Sequence, residues 1–136
     1  MRIGVLSDTH SRDLPKQMME DFKQVDFIIH AGDFCSKNIF DELKKIKDVK
    51  AVYGNMDEKS LRAVLPKSQI VHCGTHLIGV FHGEGHPDQL LKCVKLEFAN
   101  QKVDVATDTI FAPYRSYGIL EVDGAVKGRI IKLDED

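Results

Sequence analysis

Six side chains in this sequence are of types that bind or move charge, and their spacing suggests one place. They are Asp8 and His10 in "SDTH" (7–10), Asp33 in "HAGD" (30–33), Asn55 and Asp57 in "YGNMD" (53–57), and His82 in "FHG" (81–83). Each group ends an apolar run, and Gly32, Gly54 and Gly83 stand beside three of them. Burying a carboxylate or an imidazole without a partner costs several kcal/mol. A mixed set of oxygen and nitrogen donors suits Mn²⁺, Fe²⁺, Ni²⁺ or Zn²⁺, any of which would offset that cost. The adjacent glycines let the backbone approach such a centre with no Cβ in the way. Alone, Asp-x-His after a strand is ordinarily a helix cap plus a surface histidine, and Gly-Asp or Gly-Asn is an ordinary turn. Their recurrence at four successive strand ends is what argues for a site.

The elements that must carry these groups follow from periodicity. Residues 2–7 are a short apolar run, and Leu14, Met18 and Phe22 then keep helical spacing. Residues 26–33 form a second run, Ile39, Phe40, Leu43 and Ile46 mark a second helix, and 49–55 reads as a third strand. Short strands alternating with helices predict βαβ units and a parallel sheet. In such a sheet the carboxyl ends of the strands share one edge, where open α/β folds bind ligands. Beyond Pro66 the pattern changes. Residues 69–73 and 76–83 flank Gly74-Thr75 as a hairpin, a helix is expected over 87–100 with Leu90, Leu91, Val94 and Phe98 inward, and 116–133 is a second hairpin turning near Asp123-Gly124.

Composition bounds the rest. The 136 residues suit one domain, 1–136, able to bury a core. With 43% apolar and 29% charged residues, the chain reads as globular, not disordered. A net charge of −2 speaks against nucleic acid as a stable partner held by phosphate neutralisation. No segment has the length of a membrane span. The opening "MRIGVLSDTH" turns polar too early for a signal peptide. Cys35, Cys73 and Cys93 show no metal-type pairing and leave one over from any disulfide scheme, so reduced thiols in the cytoplasm are expected.

Together, Asp8-x-His10, Gly32-Asp33, Gly54-Asn55 and His82-Gly83 resemble the calcineurin-like metallophosphoesterases, in particular their small bacterial and archaeal phosphodiesterase branch. The resemblance implies an α/β fold built as a four-layer α/β/β/α sandwich with mixed sheets. It also implies two divalent metal ions, Mn²⁺ first and Ni²⁺, Fe²⁺ or Zn²⁺ as alternatives. By position, Asp8 and His10 would hold one ion, Asn55 and His82 the other, and Asp33 would bridge them. The implied activity is hydrolysis by metal-activated water of a small phosphodiester, or a related phosphomonoester, with Asp33, Asn55 and Asp57 as the candidate catalytic residues. A homo-oligomer is left open.

The sequence departs from that family in two places. Larger members carry a histidine after Gly-Asn, often treated as a general acid, where this chain has Met56. Asp57 is the candidate substitute, with a helix cap as its ordinary alternative. The family also has a Gly-His-x-His motif after the strand matching residues 102–106, whereas here all histidines lie at or before His86. A break in the chain is therefore expected between Val105 and Thr107, with a segment deleted or unplaced. The missing motif raises a second reading, a scaffold or binding module on the same fold, as in the retromer scaffold subunit that resembles this family. The retained set of Asp8, His10, Asp33, Asn55 and His82 favours catalysis. A generic nucleotide binder is disfavoured, because no glycine-rich phosphate loop follows the first strand. Of the remaining residues, His30 reads as packed or supporting, Cys35 as packing, and His72 and His76 as exposed. His86 could reach the site or substrate, and Arg115 and Tyr117 could contact a phosphate, with exposed loop residues as their ordinary reading.

Overall fold

The computed structural model describes residues 1–7, 9, 13–82, 97, 105–107 and 116–132. The first apolar run forms β1 (Arg2–Leu6), and the spacing of Met18 and Phe22 puts both on the buried face of α1 (Lys16–Phe22). The second run gives β2 (Phe27–His30). Ile39 and Leu43, four residues apart, face inward from α2 (Lys37–Ile46). β3 (Val49–Ala51) follows and is shorter than the strand expected over 49–55. The chain leaves the sheet after Val52 and closes a turn in which the Asp57 N–H donates to Gly54 O at 3.2 Å.

A helix not expected from the sequence, α3 (Lys59–Val64), comes next. It buries Leu61 alone, while Val64 is 67% exposed, so no apolar stripe announces it. The first hairpin forms as expected from β4 (Ser68–Cys73) and β5 (His76–Phe81). Of the helix expected over 87–100, only residue 97 is described, and its carboxylate accepts a bond from Ser68 Oγ at 2.8 Å. β6 (Val105–Thr107) pairs in parallel with β5, from Ile78↔Val105 to Val80↔Thr107. Val105, Ala106 and Thr107 keep one ladder in register, and the residues on either side of them, where the rest of the expected break would fall, lie outside the described residues. The second hairpin, β7 (Ser116–Asp123) and β8 (Ala125–Lys132), reverses at Gly124.

Two sheets result, one of order β3-β2-β1-β7-β8 and one of order β4-β5-β6. The first is mixed: β1, β2 and β3 run parallel, and β7 joins β1 antiparallel. Side-chain alternation along the strands separates two cores. Ile28, Tyr117 and Ile119 meet Met18, Phe22, Leu43 and Leu61 from the helices. Ile3, Phe27, Ile29 and Val122 point the other way, onto Val71, Ile78 and Val80 of the second sheet. Full burial of each such Ile or Phe side chain stabilises the fold by about 1.5–3 kcal/mol. The described layers are thus helices, sheet and sheet. The outer helical layer expected on the second sheet falls in residues 87–100, outside the described residues apart from Glu97. Among the described residues, no helix is long and apolar enough to cross a membrane.

Candidate metal centre

The parallel register brings the loops to one place. Leu6 pairs with His30, and His30 pairs with Ala51, so the segments after β1, β2 and β3 leave the sheet side by side. Backbone bonds continue the alignment past the strands: Ala31 N–H donates to Leu6 O at 2.9 Å, and Val52 N–H to His30 O at 3.2 Å. β5, in the other sheet, delivers His82 to the same edge immediately after Phe81.

Asp33 and His82 meet there. His82 Nε2 lies 3.2 Å from Asp33 Oδ2, and both side chains are buried. The opposite ring nitrogen, Nδ1, is 2.9 Å from Ala31 O. A carbonyl only accepts, so Nδ1 carries the proton, and in the neutral ring Nε2 presents its lone pair to the carboxylate. Two acceptors at that distance call for a proton or a cation between them. A histidine whose far nitrogen donates to a backbone carbonyl is also how metal-binding histidines are oriented.

The backbone around this pair is crowded and strained. Asp33 adopts φ 61° and Cys35 φ 69°, the left-handed region that costs a non-glycine residue about 1–2 kcal/mol. Gly54 packs directly on Asp33: a Cβ there would fall 2.1 Å from Asp33 Oδ1 and 2.7 Å from its backbone nitrogen. Gly32 has φ 105°, and a Cβ on it would be 2.8 Å from both Gly54 N and His82 Nδ1. The two glycines thus form the close approach expected of them, with a carboxylate and an imidazole in the space a side chain would need.

Asp57 occupies the centre of the two loops. Its Oδ2 accepts from Asp33 N–H at 3.0 Å and from Gly54 N–H at 2.7 Å, and its Oδ1 accepts from Cys35 N–H at 2.8 Å. Both oxygens of this buried carboxylate serve backbone donors, where the sequence offered a proton donor or a helix cap.

The remaining expected residues sort as follows. Asn55 is exposed, between Gly54 and Met56, whose N–H donates to Asp33 Oδ1 at 2.9 Å. Asp8, His10 and His86 lie outside the described residues, as do Arg115 and Cys93. Thr9, between the first two, is described: its hydroxyl stands 3.2 Å from His30 Nε2. Gly32 N–H donates to His30 Nδ1 at 3.1 Å, so the His30 proton is on Nε2 and Thr9 Oγ1 accepts it. His30, expected as a packed or supporting residue, is fully buried and stacks on Phe34 at 3.5 Å between ring centroids. His72 is exposed and His76 half-buried. Tyr117, expected in a loop, is instead in the core, edge-on to Phe22 and donating to the Asp21 carboxylate. Burial, and then that bond, push its phenol well above the usual range. Burial likewise raises the Cys73 thiol, which makes it an inert packing residue.

Among the described residues, no group of three or more His, Cys, Asp or Glu side chains is arranged to hold a metal ion. The donor chemistry of the Asp33–His82 pair, facing acceptors in a glycine-lined cradle, nevertheless fits a divalent cation.

Residues 1–107 match the calcineurin-like phosphoesterase superfamily domain. Over 88 residues the chain is 46% identical to a probable metallophosphoesterase of Methanocaldococcus jannaschii, a match covering 62% of this chain and 44% of that protein. The chain spans about half the length of the curated relatives it matches. Among solved structures, Vps29 of Chaetomium thermophilum superposes with a TM-score of 0.82 at 19% identity, covering 99% of this chain and 87% of that one. A structure described as a novel archaeal phosphodiesterase superposes with a TM-score of 0.73 at 23% identity, covering 98% and 100%. At those identities, the two structures establish the mixed α/β fold.

Proposed function

Because the chain belongs to the calcineurin-like phosphoesterase superfamily, we propose that it is a metal-dependent phosphodiesterase acting on a small phosphodiester, with phosphomonoesters as secondary substrates. The observation that carries this reading is the convergence of Asp33 Oδ2 and His82 Nε2 at 3.2 Å, with Nδ1 of the imidazole engaged by Ala31 O so that Nε2 faces the carboxylate. Two divalent ions, Mn²⁺ first, would be held in the proposed centre, one by Asp8 and His10 and the other by Asn55 and His82, with Asp33 as the ligand they would share. Bound cations of this kind supply Lewis acidity, neutralising phosphate oxygens and acidifying water near neutral pH. The protein's own part is to hold Asp33 and His82 in one orientation and to keep the approach clear at Gly32 and Gly54. The relatives named as probable metallophosphoesterases support the reaction class, and the structure titled an archaeal phosphodiesterase supports the choice of diester. We place the protein in the cytoplasm, with no stable nucleic-acid partner.

The likeness to Vps29 favours a second reading, a binding module on the same fold with little or no catalysis. Hydrolysis of bis(p-nitrophenyl) phosphate by the purified chain separates the two. The proposal expects Mn²⁺-stimulated turnover, lost on exhaustive chelation and restored by Mn²⁺, and faster than turnover of p-nitrophenyl phosphate. Absence of turnover with every one of Mn²⁺, Ni²⁺, Fe²⁺ and Zn²⁺ would favour the binding module.

A further inference from the structure

Asp33 and Cys35 are the non-glycine residues with positive φ among the described residues. The backbone N–H of each donates to the same carboxylate, that of Asp57, at 3.0 and 2.8 Å. The third donor, Gly54 N–H at 2.7 Å, belongs to the glycine that packs against Asp33. We propose that Asp57 is a positioning residue: its carboxylate holds the loop after β2 in a left-handed course and docks it on the loop after β3. In that course Asp33 presents Oδ2 to His82. This inference rests on the metal-centre reading above, since it assigns to Asp57 the placing of the proposed bridging ligand and no contact with substrate.

The physical case is one of competing conformations. Left to local preference, Asp33 and Cys35 would adopt right-handed or extended backbone. Strained residues persist when their surroundings over-determine them. Here one buried anion satisfies three backbone donors that would otherwise lie in a water-poor region. Met56 N–H, on the turn that Asp57 closes, takes up Asp33 Oδ1 at 2.9 Å, which leaves Oδ2 directed at His82. Removing the Asp57 carboxylate therefore acts on Asp33 twice, through its backbone and through the turn that grips its side chain.

Asp57→Asn keeps the shape and one acceptor but turns an amide NH₂ toward backbone donors. Calorimetric titration of Mn²⁺ into the full chain, with thermal melting and amide hydrogen exchange alongside, tests the proposal. We expect Asp57→Asn to remain folded, to bind Mn²⁺ about 10- to 100-fold more weakly, and to lose protection at the Asp33, Cys35 and Gly54 amides. Val122→Ala, at the other end of the β1–β7 pair, should lower the melting temperature and leave Mn²⁺ affinity unchanged. A folded Asp57→Asn with wild-type affinity overturns the proposal. So does rapid exchange of the three amides in the folded wild type, a result that requires no variant to fold. If the wild type takes up none of Mn²⁺, Ni²⁺, Fe²⁺ and Zn²⁺, the metal-centre reading fails, whereas slow exchange at those amides would still support the clamp.

Discussion

His82 Nε2 stands 3.2 Å from Asp33 Oδ2, although the two residues come from different sheets and His82 is fixed by a bond to Ala31 O. The relation makes the two residues unequal. A carboxylate proposed to bridge two cations loses both contacts when removed, whereas the imidazole touches one. Asp33→Ala should abolish Mn²⁺ uptake and diester hydrolysis, and His82→Ala should leave measurable, weakened binding. Parallel calorimetric titrations and initial rates would show the order, and wild-type turnover in Asp33→Ala would rule out the bridging role.

Gly54 is predicted to tolerate no side chain. A Cβ would sit 2.1 Å from Asp33 Oδ1, and its neighbours there are a buried carboxylate and backbone atoms instead of a flexible side-chain tip. Gly54→Ala should destabilise the fold by about 1–3 kcal/mol, as overpacking does, and should also weaken Mn²⁺ binding. Urea melts followed by circular dichroism would give the first quantity. A midpoint unchanged from wild type would show that the two loops are less closely docked than described.

Tyr117 predicts a pH dependence at the alkaline end. Its phenol is held protonated by burial and by its bond to Asp21. Above about pH 10 the unfolded chain has released this proton and the folded chain has not. The folded state then binds more protons, so stability falls as pH rises. Below the unfolded value the contribution is fully present. Tyr117→Phe should lose about 1–3 kcal/mol at neutral pH and show a flatter decline above pH 10. Urea melts at pH 8, 9, 10 and 11 would test this, and parallel declines in the two proteins would refute it.

Much of this protein is legible in the sequence because the signals are local. The helical spacing of Met18 and Phe22, and of Ile39 and Leu43, reports α1 and α2. Gly74 and Gly124 mark the reversals of two hairpins. Polar residues placed after apolar runs single out Asp33 and His82, which the fold brings to 3.2 Å, and Gly32 and Gly54 single out the close approach around Asp33. Tertiary structure decided the rest. Helix α3 forms around Leu61 alone, so its warrant is packing and not pattern. Tyr117, expected to be exposed, is buried because β7 pairs with β1 and turns its ring onto Phe22, a long-range choice. The short strand Val105–Thr107 is fixed by its ladder with β5, a pairing between residues far apart in the chain. The role of Asp57 was hidden most completely. Backbone N–H groups carry no sequence identity, and three of them converge on one carboxylate only after two loops have docked.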